Sequence, residues 1–127
     1  MLLRLALLLS LLASPALTMR VVGGKEPIAD LADPALLAVA AHIATEFDKT
    51  SASAFSTAVV AVTAGTKQVV AGMTYTLTVD LAETACTKPA AEGAEPCAPL
   101  AGAATQSVTA NVWVQPWRNF YQVTLSS

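Results

Sequence analysis

Hydrophobic and polar positions divide the chain into one helix followed by strands. Leu36, Val39, Ala40, Ile43 and Phe47 recur at helical spacing, with His42, Glu46 and Lys49 elsewhere on the wheel. Asp33 suits the N-cap of this helix, and Pro34 suits its first position, where no backbone donor is needed. The Thr-Ser-Ala-Ser run after Lys49 breaks the pattern. A first long strand is expected over 55–62. Met73, Tyr75, Leu77, Val79 and Leu81 then alternate with Thr74, Thr76, Thr78 and Asp80, which predicts a strand over 72–83 with one buried face. Val108, Ala110, Val112 and Val114 alternate with Thr109, Asn111, Trp113 and Gln115 in the same way. Pro116 stops that strand's pairing, and Tyr121, Val123 and Leu125 supply a last one. An N-terminal arm is a candidate fifth strand. The fold class is α+β, with one helix packed across an antiparallel sheet of four to five strands.

Between the first two strands lies the segment Gln68, Val69, Val70, Ala71 and Gly72. It falls at or near a hairpin tip, where turns ordinarily use Gly, Asn, Asp and Ser. Either the two valines finish a strand, or an apolar tip is presented to a partner.

The ends of the chain change the picture. Arg4 precedes a leucine-rich run over 5–12, followed by Ala13, Ser14, Pro15 and Ala16. This order reads as a secretory signal peptide over 1–16, with a single domain over 17–127. The run is far shorter than the roughly 20 residues a spanning helix needs, so no membrane contact is expected after cleavage. In a secreted chain the even pair Cys86 and Cys97 reads as a disulfide. It would close a short loop containing Pro89 and Pro96, and hold the loop-like segment over 84–106, rich in Ala, Pro, Glu and Gly. Two cysteines and a lone histidine do not make a four-ligand metal site, and no cofactor is implied. Of the 127 residues 13% are charged and the net charge is −2, which gives no basic patch for nucleic acid. His42 has no nucleophile or orienting acid in a recognisable motif, so the chain is not read as an enzyme.

Gln68-Val69-Val70-Ala71-Gly72 resembles the QxVxG loop of the cystatins, inhibitors of papain-like cysteine proteases. Two further pieces stand in that family's order: Gly23-Gly24 after Val21-Val22, and Pro116-Trp117 near the C-terminus. The resemblance runs from about residue 21 to 125. It implies a curled sheet wrapped around the single helix. It further implies that Val21, Val22 and Gly23, Gln68 to Gly72, and Pro116 with Trp117 form a three-part apolar wedge for the cleft of a cathepsin-type protease. The expected function is that of a secreted, reversible, competitive inhibitor. The alternative is a cystatin-fold binding or precursor module without inhibitory activity. The expected state is a monomer, with a hairpin-swapped dimer as the other option. The Trp residues divide: Trp117 is expected to bind, and Trp113, mid-strand, to be a half-buried structural aromatic.

Two departures from the secreted cystatins stand out. The usual second disulfide is missing, with Val108 at its first position. Some secreted cystatins also carry an asparagine after the helix for legumain, and Ala52 occupies that position here.

Overall fold

The computed structural model describes residues 24–88 and 97–126. The leader expected over 1–16 and the arm residues Val21, Val22 and Gly23 lie outside the described residues. The described elements are β1 (Glu26–Pro27), α1 (Pro34–Thr50), β2 (Phe55–Val70), β3 (Gly72–Thr87), β4 (Thr105–Gln115) and β5 (Phe120–Ser126). The strands form one antiparallel sheet in sequence order, β1 to β5.

Helix α1 begins as its sequence dictates. The Asp33 carboxylate accepts the Ala35 N–H at 3.0 Å, and Pro34 occupies the first turn. Leu36, Val39, Ala40, Ile43 and Ala44 form its buried stripe. That stripe meets Leu77, Val79 and Leu81 of β3 and the alternating Val108, Ala110, Val112 and Val114 of β4. Val108 pairs with Val79 and is buried, so its aliphatic side chain stands in the core.

Strand β2 corrects the expected boundary. It does not stop at Val62 but continues to Val70. Gly65 and Lys67, which fall in the gap between the two expected strands, lie inside it. Gly65 pairs with Leu77, and a Cβ there would come within 2.8 Å of Leu77 Cδ2 and 3.0 Å of Ile28 Cδ1. The missing side chain makes room for the segment after β1 to lie across the sheet, where the Ile28 N–H donates to the Gly65 carbonyl at 3.1 Å. Three register shifts in the β2–β3 pairing, between Phe55/Thr57, Val59/Ala61 and Val62/Ala64, add the bends that let the sheet curl over the helix.

Strand β3 also outlasts its expected end, running to Thr87 rather than 83. Two hydroxyls explain how it stays paired. Buried Thr84 donates to the Ser56 carbonyl at 3.1 Å, its Oγ1 lies 2.8 Å from Ser56 Oγ, and it accepts the Cys86 N–H at 3.1 Å. Cys86 and Cys97 form the expected disulfide.

Candidate functional site

Residues 68–72 finish the strand and remain exposed at its tip. Gln68 pairs with Thr74, Val69 with Met73 and Val70 with Gly72, which leaves Ala71 alone at the apex. The valines complete the strand, yet Val69 is 63% and Val70 42% exposed. So tight a reversal requires Gly72, whose φ of +101° favours glycine. Any Cβ at that position would also run into the Val114 carbonyl oxygen of β4.

The second turn grows from the end of β4. Pro116, Trp117 and Arg118 form a single 3₁₀ turn, closed by the Asn119 N–H donating to the Pro116 carbonyl at 3.0 Å. Asn119 takes a left-handed conformation (φ 50°) that asparagine tolerates, and the chain returns as β5. Trp117 is 65% exposed.

Sheet register brings these two turns together. Met73 pairs with Val114, so the start of β3 lies beside the end of β4. Polar contacts then join the turns. The Trp113 indole N–H donates to the Ala71 carbonyl at 2.8 Å, and the Gln115 amide donates to the same oxygen at 3.3 Å. Arg118 donates to Gln115 Oε1 at 2.7 Å, and its guanidinium lies 5.1 Å from the Phe120 ring centroid. Phe120 meets Trp113 edge-on at 5.7 Å.

Strand β1 runs with its N-terminal end toward the same end of the sheet. In the antiparallel β1–β2 pair, Glu26 faces Lys67 and Pro27 faces Thr66. The chain preceding Glu26 therefore approaches along the Gln68 side of β2. Val21, Val22 and Gly23 themselves lie outside the described residues.

Reading the sequence alone misses Gln115, Arg118 and the second role of Trp113. Alternation puts Gln115 on the sheet face opposite the helix, where a glutamine would be solvated. Its burial comes from the neighbouring turns, a relationship that strand periodicity does not carry. Trp113 is half-buried, as its mid-strand position predicts, and it also holds the first loop.

The surface at this end exposes Val69, Val70 and Trp117, and its turns are held by hydrogen bonds. Among the described residues no group of three or more His, Cys, Asp or Glu is placed to hold a metal ion. The fold and this pair of loops define a one-helix, five-strand α+β protein with an apolar sheet end. The cystatin domain model matches residues 23–117. Cystatin-2 of Crotalus adamanteus is 34% identical over 125 residues, covering 95% of this chain and 90% of that protein. Among solved structures, a salivary cystatin from the soft tick Ornithodoros moubata matches with a TM-score of 0.69 and 28% identity, covering 84% of this chain and all (100%) of that one. Dimeric human cystatin F matches with a TM-score of 0.74 and 27% identity, covering 87% of this chain and 90% of that one. The chain belongs to the cystatin family, and that membership supports a role as a cysteine protease inhibitor.

Proposed function

We propose that this protein is a secreted, reversible, competitive inhibitor of papain-like cysteine proteases of the cathepsin type. The observation that carries the reading is the side-by-side placement of two exposed apolar turns, Val69 with Val70 and Pro116 with Trp117, at one end of the sheet. Such a surface suits a cleft lined for extended peptides. Occupying that cleft excludes substrate, and no peptide bond of the inhibitor need be set over the catalytic cysteine. The loops are held before binding, so less ordering entropy is lost on docking.

In this reading Val21, Val22 and Gly23 form the third part of the wedge. Gly23 leaves the backbone free to turn, and the valines fill substrate pockets on the non-primed side. The leader over 1–16 and the Cys86–Cys97 disulfide support export to an oxidising compartment. In this reading the working species is a monomer, since both described loops come from one chain.

The test is titration of the chain lacking residues 1–16 against papain and a cathepsin. Stoichiometric, reversible loss of protease activity is expected. Absence of inhibition at micromolar concentration would leave a cystatin-fold module with some other binding role.

A further inference from the structure

We propose that Gln115 is a positioning residue that clamps the two loops into one body, with Trp113 as a second hold on the first loop alone. The proposal rests on the inhibitory reading above, because it explains how that surface keeps its shape.

Gln115 is buried, at 6% exposure, and both ends of its amide are used. Nε2 donates to the Ala71 carbonyl at the apex of the first loop. Oε1 accepts from Arg118 in the second. The partners fix the amide's orientation: flipped, it would set oxygen against carbonyl oxygen and NH₂ against guanidinium. The side chain therefore spans the two loops with a donor at one end and an acceptor at the other. No other amino acid of this shape offers both.

Trp113 acts differently. Its indole N–H is the shorter of the two bonds to Ala71, at 2.8 Å against 3.3 Å. Its ring is seated by Phe120, and Phe120 lies under the Arg118 guanidinium. The Ala71 peptide thus has its oxygen held by two donors from β4, while Gly72 on its other side supplies the required backbone conformation. Preorganising an exposed apex in this way reduces what binding must order.

Amide hydrogen exchange in the free, full-length mature chain tests the clamp without a protease. In Gln115→Leu, exchange should accelerate together at Gly72 and Met73 of the first loop and at Asn119 of the second. In Trp113→Phe, which keeps a ring against Phe120, it should accelerate at the first loop only. Val79 and Val112, in the core, report global opening for comparison. Gln115→Glu covers the case in which leucine prevents folding. At neutral pH its carboxylate keeps the Arg118 contact and cannot donate to Ala71, so only the first loop should loosen. Each loss of a donor should weaken papain inhibition by about tenfold, read mainly in the dissociation rate. Loop exchange that rises only in step with Val79, or unchanged exchange in both Gln115 variants, would overturn the clamp. If the unmodified chain fails to inhibit papain, the inhibitory function falls, and the exchange pattern still decides whether Gln115 couples the loops.

Discussion

Lys88, at the end of the β3 side of the molecule, holds the last turn of a helix forty positions earlier in the chain: its ammonium donates to the Asp48 carbonyl at 2.7 Å. A second bond runs to the Ser51 carbonyl at 2.9 Å. The last carbonyls of a helix have no intrahelical partner, and the helix dipole places partial negative charge there. A cation supplied from another element answers both needs. The Asp48 side chain is turned the other way, accepting the Thr57 N–H at 3.0 Å and the Thr57 hydroxyl at 2.8 Å. Together these bonds tie the helix end to the start of β2 and the end of β3.

Lys88→Met should therefore lower unfolding free energy by about 1–2 kcal/mol, the scale of partly buried hydrogen bonds from a charged donor. Protease inhibition should be unchanged, because this junction lies at the opposite end of the sheet from the loops. Denaturant titration read beside an inhibition constant checks both halves. Equal stability would show that water replaces the ammonium at no cost.

Trp117→Ala should weaken inhibition by about 2 kcal/mol or more, a hot-spot magnitude for an exposed aromatic anchor. Stability should change little, because the side chain is mostly exposed before binding. An inhibition constant with a matched unfolding curve checks this. A large drop in stability with unchanged inhibition would assign Trp117 to the fold instead of the contact surface.

The residues in these two predictions differ in how far the sequence discloses them. Alternation along 108–115 locates β4 and its buried face, because one side of that strand packs on the helix throughout. The same reasoning fails past Val62 in β2. There Gly65, in the gap between the expected strands, is an opening for Ile28 and Leu31, whose approach depends on a distant part of the chain. At the candidate site, Gln68 to Gly72 and Pro116-Trp117 are legible as motifs. Gln115 is not, since its burial and both its partners arise only when two hairpin turns stand side by side. Lys88 belongs with Gln115: nothing in its local sequence points to a helix end.

His42 provides a pH prediction. Its ring stacks on Tyr121 of β5, with centroids 3.9 Å apart and planes 15° from parallel. Burial against the sheet disfavours the imidazolium and pushes its pKa below the ordinary 6.5. The folded pKa is thus lower than the unfolded one. Well above pH 6.5 both states are neutral, and this packing contributes in full. As pH falls below that value the unfolded chain takes up the proton first, so stability declines until the folded chain is protonated as well. His42 is the single histidine in the sequence, so His42→Phe should flatten this part of the stability–pH curve. Denaturant midpoints from pH 7.5 to 5 for both chains provide the measurement. Parallel curves would mean that carboxylates alone set the acid limb.

Legumain inhibition should be absent. Some secreted cystatins carry an asparagine just after the helix for this second type of cysteine protease, and the family resemblance sets Ala52 against it. A pocket made to hydrogen-bond an amide rejects a methyl group, because its own polar atoms are left unpaired. The surrounding turn is well held. Ser51 Oγ accepts the Ser53 N–H at 3.1 Å, Ser53 Oγ donates to Glu83 at 2.6 Å, and Lys88 holds the Ser51 carbonyl. Ala52 sits exposed between these anchors, so an asparagine placed there would be accessible to a partner. Legumain assayed on a peptide substrate with the mature protein in excess should keep its activity, while papain is inhibited in parallel. Ala52→Asn should then create measurable legumain inhibition and leave papain inhibition as it was. Inhibition by the unaltered chain would move the legumain contact to another part of the surface. No gain in Ala52→Asn would show that the Ser51 and Ser53 bonds hold the turn in a shape the legumain pocket does not accept.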